Sequence, residues 1–297
     1  MNKFFLFIII LFLLCNKQKK QEIKSDLPEV LIRFENLFLD HDYTKQENHY
    51  QEIFPGIYWS KREIPNFHEK FSNEINSQAI NLIVIDMKQR QLKVGILGDD
   101  NKIQSLAKTS EIALEKNALV AVNGGFFSPP HFSYSHTIIN GKVISYNSRE
   151  RGVLGITGAH DFIIKKILPK QSMSDVKYAI GGWGILMREG IPVFQKNDSI
   201  PTALNETAYE RHPRTIVGYS KDKQYFYFLT IDGRQAGYSL GLGLNDAAEL
   251  VRILGFYEAL NLDGGGSTTL YIKGKGIVNS PSDVNGEREI LSILYAI

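Results

Sequence analysis

Cysteine is almost absent from this sequence: among 297 residues, Cys15 is the only one. No disulfide bond can form within the chain, and no cysteine pair is available to bind zinc. Charge of one sign is not in excess either, since 34 basic residues stand against 32 acidic ones. The part of the chain expected to fold has no dense stripe of basic and aromatic side chains, which argues against a nucleic-acid-binding protein.

Apolar runs long enough to span a bilayer are also lacking. The apolar run at residues 4–14 is too short to cross a membrane comfortably as a helix. After the basic start at residues 1–3, it is typical of a secretory signal. Cys15 follows directly, as in bacterial lipoprotein signals, although Leu14 stands where a small residue is usual. We predict an exported protein of the bacterial cell envelope, anchored by a lipid on Cys15; the alternative is a signal cleaved elsewhere.

The chain is predicted to have three parts. Residues 1–15 form the signal, and residues 16–53 form a polar tether with a helical segment at 26–39. Residues 54–297 form a single domain, for which the 43% of hydrophobic residues can supply a core.

Apolar runs divided by turn signals predict that strands dominate this domain. Asn140-Gly141 is the strongest hairpin signal. Helical spacing occurs at residues 109–117 and 246–254. We therefore predict an α+β fold, in which a central, mainly antiparallel sheet is flanked by helices. The predicted strand pairs are 80–86 with 91–97, 137–139 with 142–145, 153–157 with 162–167, 178–187 with 191–194, and 216–219 with 224–231.

The motif around Asp263 is the clearest candidate site. Asp263 follows an apolar run that predicts a buried strand, and Gly264, Gly265 and Gly266 come next, before Ser267. Successive glycines can turn their N–H groups toward an anion and let a ligand approach closely. The motif therefore indicates a carboxylate beside an anion site, although it also fits a glycine-rich hairpin with a solvated aspartate.

A similar order of apolar run, polar residue and glycine recurs at Asn123 and Gly124. An amide at this place can bind a sugar hydroxyl or hold a loop, although an isolated Asn-Gly pair more often forms a turn. Arg214, Asp232 and Arg234 lie near the ends of two adjacent predicted strands. Arginine suits phosphate because its planar guanidinium donates paired hydrogen bonds and keeps its charge, yet a single arginine is more often a surface residue.

Two familiar motifs fit the sequence poorly. Ser239 lies in a Gly-x-Ser-x-Gly pattern, but the histidine of esterases follows their serine, and the last histidine here is His212. The glycines at 264–266 are not followed by the lysine of a nucleotide P-loop, and Asp246 replaces the third glycine of a dinucleotide fingerprint. No nucleotide cofactor is therefore expected.

Six blocks of the sequence stand in a recognisable order. They are residues 123–127, 181–186 with 189–190, 214–218, 232–234, Ser239 before a helix, and 261–267. Together they resemble the phosphodiester glycosidase family, and several blocks in one order are far more specific than any one of them. The resemblance spans roughly residues 54–297, but segments 128–135 and 240–244 match no part of the pattern, so they can alter the substrate.

The resemblance implies an α+β glycoside hydrolase that cleaves a sugar-1-phosphodiester, with N-acetylglucosamine as one candidate sugar. Asp263 is then the base or nucleophile and Asp232 the second carboxylate, or the reverse. Arg214 and the glycine N–H groups are expected to stabilise the departing phosphate. No cofactor is required, although Asp232 or Asp263 can hold a divalent cation. The substrate-binding residues implied are Asn123, Gly124, Arg214, Arg234, Ser239, Gly264, Gly265, Gly266 and Ser267.

Two other classes of protein stay open at this point. A surface-tethered lipoprotein can bind glycans in the same pocket without turnover. A serine esterase using Ser239 needs a base other than a downstream histidine. The expected partners are a glycan or glycosyl phosphate and, through Cys15, a membrane.

Overall fold

The molecule was analysed as a computed structural model. It describes residues 27–37, 50–67, 76–100, 102, 105–128, 132–133, 135–147, 149–157, 161–193 and 209–297. The predicted signal, Cys15 and most of the predicted tether lie outside the described residues. In the part that is described, no helix is both long and apolar enough to cross a membrane.

The helices of the described residues are short and few. They are α1 (Glu29–Asn36), α2 (Thr109–Glu115) and α3 (Leu244–Leu254), with one 3₁₀ turn at Gly265–Ser267. The buried face of α3 covers the sheet, and Gly255 ends the helix in a left-handed conformation, φ 83°, as the sequence predicts. Helix α1 begins at Glu29, after Pro28, which is three residues later than predicted.

Strands make up most of the domain. In chain order they are β1 (Tyr50–Phe54), β2 (Ile57–Phe67), β3 (Asn76–Asp86), β4 (Leu92–Gly95), β5 (Ala107–Lys108), β6 (Val120–Asn123), β7 (Phe127–Ser128), β8 (Phe132–Ser133), β9 (Thr137–Ile139), β10 (Lys142–Ser145), β11 (Arg151–Thr157), β12 (Phe162–Ile167), β13 (Val176–Gly181), β14 (Ile185–Arg188), β15 (Ile191–Pro192), β16 (Arg214–Tyr219), β17 (Tyr225–Ile231), β18 (Glu258–Asn261), β19 (Leu270–Ile272), β20 (Gly276–Ile277), β21 (Glu289–Ile290) and β22 (Ile293–Ala296).

Three large sheets carry the fold. Their strand orders are β1-β2-β3-β17-β16-β18-β14-β15, β10-β9-β13-β11-β12 and β20-β19-β6-β22-β4, with two further two-stranded ribbons. Neighbouring strands within the three sheets run antiparallel. The predicted antiparallel character is thus confirmed. The protein is more β-rich than the predicted α+β class, because three sheets and only short helices build it.

The predicted pairing of 80–86 with 91–97 is wrong. Strand β3 lies between β2 and β17, whereas β4 pairs with β22 in another sheet. The reason is burial on both faces of β3: Ile83 packs into one core cluster, and Leu82 and Val84 pack into another. Strand β3 is thus central in the largest sheet, where β2 and β17 fill its two hydrogen-bonding edges, and residues 87–90 connect it to β4 of another sheet.

The predicted single strand at 178–187 is also wrong. It divides at Gly182 into β13 of one sheet and β14 of another. Gly182 is required there, because a Cβ atom at this position would lie 2.2 Å from the carbonyl oxygen of Asn261. The hairpins predicted across Asn140-Gly141 and at 216–231 are confirmed.

The main core lies where the three sheets face one another. It combines Ile83 of β3, Val122 of β6, Leu154 of β11 and Leu294 of β22, all almost fully buried. A second cluster joins the other face of the largest sheet to helices α1 and α3. Each large side chain buried in this way contributes about 1.5–3 kcal/mol. This packing fixes the ends of β6 and β18, and the candidate site lies at those ends.

Candidate functional site

The site forms where two sheets meet. Strand β18 of the largest sheet ends at Asn261, and β6 of the third sheet ends at Asn123. The N–H of Asp263 donates to the carbonyl oxygen of Gly124, 3.2 Å away. Gly124 has to be glycine, since a Cβ atom would lie 2.5 Å from the carbonyl oxygen of Ser292. The two motifs singled out in the sequence are therefore brought together.

Asn123 holds the loop after β18 in place. Its side chain is fully buried, and Nδ2 donates to the carbonyl oxygen of Asp263 at 2.7 Å. Its Oδ1 accepts from the hydroxyl of Thr215 at 2.6 Å and from the N–H of Thr269 at 3.2 Å. With both ends of the amide engaged inside the protein, the geometry favours a positioning role over the predicted contact with sugar.

Two of the three glycine N–H groups in the loop bond within the protein. Gly264 donates to Oδ1 of Asp263 at 2.8 Å, and Gly265 donates to the carbonyl oxygen of Pro213 at 2.9 Å. Ser267 donates to the carbonyl oxygen of Gly264 at 3.2 Å, which closes a 3₁₀ turn. The N–H groups of Gly264 and Gly265 are therefore already used, and the predicted contact with phosphate fits them poorly.

Two guanidinium groups lie against the glycines of this loop. A Cβ atom on Gly265 would stand 3.1 Å from Nη1 of Arg234, and Gly265 also has a φ of 60°. A Cβ atom on Gly266 would stand 2.4 Å from Nη2 of Arg288. The loop beside Asp263 is therefore flanked by two arginines.

Asp263 borders a cleft of about 590 Å³ that is rich in charged side chains. Burial raises the pKa of Asp263 to about 6, against the opposing effects of the Ser267 hydroxyl, the Gly264 N–H and the charges of Arg288 and Arg234. A carboxyl with this pKa changes its charge near neutral pH. The other residues that line the cleft are Leu106, Lys108, Phe127, Asp283, Asn285, Glu287, Arg288 and Glu289.

His212 holds Arg234 in position. The Nε and Nη2 atoms of Arg234 lie 3.3 and 3.2 Å from Nδ1 of His212, and Nε2 of His212 lies 3.1 Å from Glu210 Oε2. Burial and the charges of Arg214 and Arg234 lower the pKa of His212. A neutral ring with Nδ1 as acceptor fits both contacts. His212 then adds no positive charge of its own beside the Arg234 guanidinium, which lies against Gly265.

Asp232 is held differently from Asp263. It is almost fully buried, and its carboxylate accepts hydrogen bonds from Asn279 Nδ2 at 2.9 Å, Tyr238 OH at 3.0 Å and the N–H of Ser280 at 3.0 Å. Burial still raises its pKa. Asp232 does not line the cleft. Its predicted role as the second carboxylate is untested, and the geometry favours a positioning role.

Arg214 also does not line the cleft. Its Nε donates to the carbonyl oxygen of Leu242 at 2.8 Å, and Nη2 donates to that of Glu210 at 3.0 Å. Burial and the charge of Arg234 lower the pKa of Arg214 to about 10. The predicted phosphate contact therefore fits Arg214 poorly, because its guanidinium already serves the main chain.

Ser239 has a structural environment. Its hydroxyl is fully buried, donates to the carbonyl oxygen of Asp232 at 2.7 Å and accepts from the N–H of Ala79 at 3.0 Å. His212 is occupied by Arg234 and Glu210, so it is not free to activate this serine. The geometry does not favour the esterase interpretation.

Arg288 is the main site residue that the sequence analysis missed. Its Nε donates to Oδ2 of Asp283 at 2.7 Å, and both side chains line the cleft with Asp263. The available signal was a turn rich in charge directly before the closing strand. That signal is weak, because charged turns are usually solvated surface.

A divalent cation stays a prediction. Among the described residues, no three His, Cys, Asp or Glu side chains lie close enough together to hold a metal ion.

Known proteins resemble this chain in sequence. The model of the family described as phosphodiester glycosidase matches residues 116–297. The mouse protein N-acetylglucosamine-1-phosphodiester alpha-N-acetylglucosaminidase is 25% identical over 190 residues, which cover 60% of this chain and 36% of the mouse protein. The match thus spans only about a third of that relative.

Solved structures resemble the fold. The catalytic domain of the zebrafish enzyme of the same name, auto-inhibited by its pro-peptide, has a TM-score of 0.67 at 19% identity and covers 82% of this chain and 84% of that one. A hypothetical protein from Synechocystis has a TM-score of 0.66 at 15% identity and covers 83% of this chain and 63% of that one. At these identities, the likeness shows the fold alone.

Proposed function

Because the chain belongs to the phosphodiester glycosidase family, we propose that it hydrolyses the bond between the anomeric carbon of a sugar and an oxygen of a phosphodiester. The observation that carries the proposal is the position of Asp263, which lines the cleft together with Arg288 and precedes a glycine loop that both Arg288 and Arg234 approach. N-acetylglucosamine is the first sugar to test, since the mouse relative is named for it.

The reaction separates charge, and the site has groups for both signs. Breaking this bond places positive charge on the sugar and negative charge on the departing phosphate. Asp263 in its ionised form stabilises the sugar cation and acts as base toward water or as nucleophile. The guanidinium group of Arg288, which lines the cleft, stabilises the phosphate, in place of the Arg214 and glycine N–H groups that the sequence indicated. Arg234 adds positive charge behind the loop.

A strong general acid is not needed on the phosphate side. A phosphate monoester has a second pKa of about 6, so it departs at neutral pH largely without a proton. One carboxylate in the cleft is then sufficient for the chemistry proposed. Asp232 supports it from a distance: Asn279, bound to Asp232, also donates to the carbonyl oxygen of Thr268 at 3.0 Å and so fixes the glycine loop.

The test is hydrolysis of methyl N-acetylglucosamine-1-phosphodiester by the wild-type chain and three variants. Asp263→Asn should lose at least about a thousandfold in kcat, because the reacting carboxylate is removed. Ser239→Ala should keep its activity at a temperature where it is folded, whereas an esterase would lose it. Full activity in Asp263→Asn would contradict the mechanism.

Asp232→Asn is the third variant. A positioning role predicts a partial loss of activity together with a lower melting temperature, since its hydrogen-bond network is disturbed. Absence of turnover on a broad panel of sugar phosphodiesters, with retained binding, would favour the non-catalytic glycan-binding lipoprotein.

We also propose that the chain is exported and anchored by a lipid on Cys15. The support is the order of basic start, apolar run and cysteine in residues 1–15. Metabolic labelling with a palmitate analogue in a bacterial host should label the wild-type protein and not Cys15→Ser. Equal labelling of both would contradict the anchor.

A further inference from the structure

A second group of charged and aromatic side chains lies outside the Asp263 cleft, at the start of β11. The guanidinium carbon of Arg151 is 5.7 Å from the ring centre of Phe126. Phe126 packs edge-on against Trp183, with ring centres 6.3 Å apart at an angle of 76°. We call Arg151, Phe126 and Trp183 the Arg151 cluster.

Arg151 has no counter-charge among the residues that the structure describes. Its Nε is buried without a hydrogen-bond partner, and in the described part of the chain its side chain forms no ion pair. Burial and the charge of Arg149 lower the pKa of Arg151. A buried donor without an acceptor costs more free energy than one cation–π contact returns. An anion bound at this place would recover that free energy.

Other partly buried arginines of this protein have their partners. Arg62 pairs with Glu35, and Arg214 donates to main-chain carbonyl oxygens. Among the described residues, Arg151 differs from both because its guanidinium has no such partner. An unpaired, half-buried arginine against an aromatic ring is instead a feature of ligand sites.

The Arg151 cluster adjoins Asn261, which ends β18 two residues before Asp263. The N–H of Trp183 donates to the carbonyl oxygen of Asn261 at 2.9 Å, and Gly152, next to Arg151, accepts from the N–H of Gly182 at 2.8 Å. Phe126 precedes Phe127, which lines the cleft itself. The cluster is therefore joined to the Asp263 cleft by the chain at Phe126 and Phe127 and by the end of β18.

We propose that the Arg151 cluster is a subsite for a sugar ring that bears an anionic substituent, a carboxylate or a phosphate, with the ring against Trp183 and Phe126 and the anion at Arg151. Aromatic rings supply the apolar surface that sugar rings pack on, and the guanidinium supplies the paired donors that both anions need. The proposal rests on the proposed function, because it assumes a sugar substrate, and it adds a second negative charge to that substrate.

Binding at the Arg151 cluster can be measured by the fluorescence of Trp183. The chain has two tryptophans, and Trp59 lies on β2, where its indole N–H donates to Asn81 Oδ1. In a Trp59→Phe, Asp263→Asn background, Trp183 fluorescence reports binding without turnover. The ligands are glucuronic acid, glucose 6-phosphate, glucose and inorganic phosphate.

We expect at least one of the two anionic sugars to bind about tenfold or more tightly than glucose and than inorganic phosphate. The tighter of the two identifies the substituent. Arg151→Met should abolish the preference and Arg151→Lys should keep part of it, with thermal unfolding confirming that both are folded. Arg149→Met, which removes an exposed charge two residues away, is the matched control and should keep the preference.

Equal binding of glucose and both anionic sugars would overturn the proposal, as would an unchanged preference in Arg151→Met. Phosphate binding as tightly as either anionic sugar would overturn the assignment to a sugar. Because the titration needs no turnover, a failure of phosphodiester hydrolysis would leave a positive result intact, and a negative titration would leave the proposed hydrolysis standing.

Discussion

Asp263, which is partly buried, and Asp232, which is almost fully buried, are two carboxylates in environments that suit different tasks. Burial raises the pKa of both. Asp232 is surrounded by three donors, from Asn279, Tyr238 and Ser280, and is closed off from the cleft. Asp263 borders the cleft, where substrate can reach it. Two carboxyl groups that are held so differently suit different roles, and for this reason we propose Asp263 as the reacting group.

The activity of the protein should depend on pH through the ionisation of Asp263. If Asp263 acts as base or nucleophile, it must be ionised, and its pKa of about 6 predicts that kcat/KM rises with pH and levels off above about pH 6. Measurement of kcat/KM from pH 4.5 to 8.5 checks this. A rate that instead falls above pH 6 would show that Asp263 acts as a general acid.

The second prediction concerns stability. Unfolded Asp263 ionises near pH 4 and folded Asp263 near pH 6, so the folded state binds more protons in this window and loses stability as the pH rises through it. Asp263→Asn avoids that cost. Its unfolding free energy should exceed that of the wild type by on the order of 1–3 kcal/mol above pH 6, and the difference should vanish below pH 4.

Thermal unfolding of both proteins at pH 4 and pH 7.5 tests this. A destabilised Asp263→Asn at pH 7.5 would mean that Arg234 and Arg288 stabilise the charge more than burial opposes it.

At the scale of structural elements, the glycine loop after β18 (residues 264–266) is packed against the side chains of Arg234 and Arg288. Gly266 lies under the guanidinium of Arg288, whose position is set by Asp283 on the neighbouring turn. Asn123 at the end of β6 fastens the same loop from the opposite sheet. The loop is thus held by side chains from three separate parts of the chain.

Gly266→Ala should therefore impair activity more than folding. The added Cβ would stand 2.4 Å from Nη2 of Arg288, the mobile end of a long side chain, which can move away from the loop. We expect a loss in kcat/KM of about 10–100-fold, the value of one charged hydrogen bond, with a melting temperature close to that of the wild type.

Gly274→Ala is the control for this variant. Gly274 has a φ of 82° and open space around it, so alanine adds backbone strain and no crowding. Its stability should fall by about 1 kcal/mol while its activity is kept. Wild-type activity in Gly266→Ala would show that Arg288 is not needed where it lies.

The sequence predicts where turns and helices form better than it predicts which strands pair with one another. Turn residues and helical spacing are local signals, and they predict the hairpins at 137–145 and 216–231 and helix α3. The resemblance to a known pattern predicts that Asn123 and Asp263 belong to one site. The pairing of β3 is missed, since its neighbours are distant in sequence. Arg288 is missed for the same reason: only the fold brings it to Asp263.

At the scale of the whole molecule, the packing of three sheets supports a site at one place where they meet. Helix α1 lies within the cluster on the other face of the largest sheet. There Glu35 of α1 forms an ion pair with Arg62 of β2 and accepts from the hydroxyl of Ser60 at 2.6 Å. Stability and activity should therefore be separable in this protein.

Glu35→Gln tests the separation. The ion pair is largely buried, with side-chain exposures of 11% for Arg62 and 13% for Glu35, and removal of one partner leaves a buried charge unpaired. We expect a loss of about 3–5 kcal/mol in unfolding free energy and an unchanged kcat/KM at 25 °C. Glu29→Gln, in the exposed pair with Arg33 on the same helix, should change stability by less than about 1 kcal/mol.

The central claim is that this chain breaks the bond between sugar carbon and oxygen, with Asp263 as the reacting group. The most direct measurement is hydrolysis of methyl N-acetylglucosamine-1-phosphodiester in ¹⁸O-labelled water, followed by mass spectrometry of both products. We predict that the label enters the anomeric hydroxyl of the released sugar, and that Asp263→Asn releases no labelled sugar. Label in the phosphate would mean that the phosphorus–oxygen bond is cleaved, and it would contradict the account.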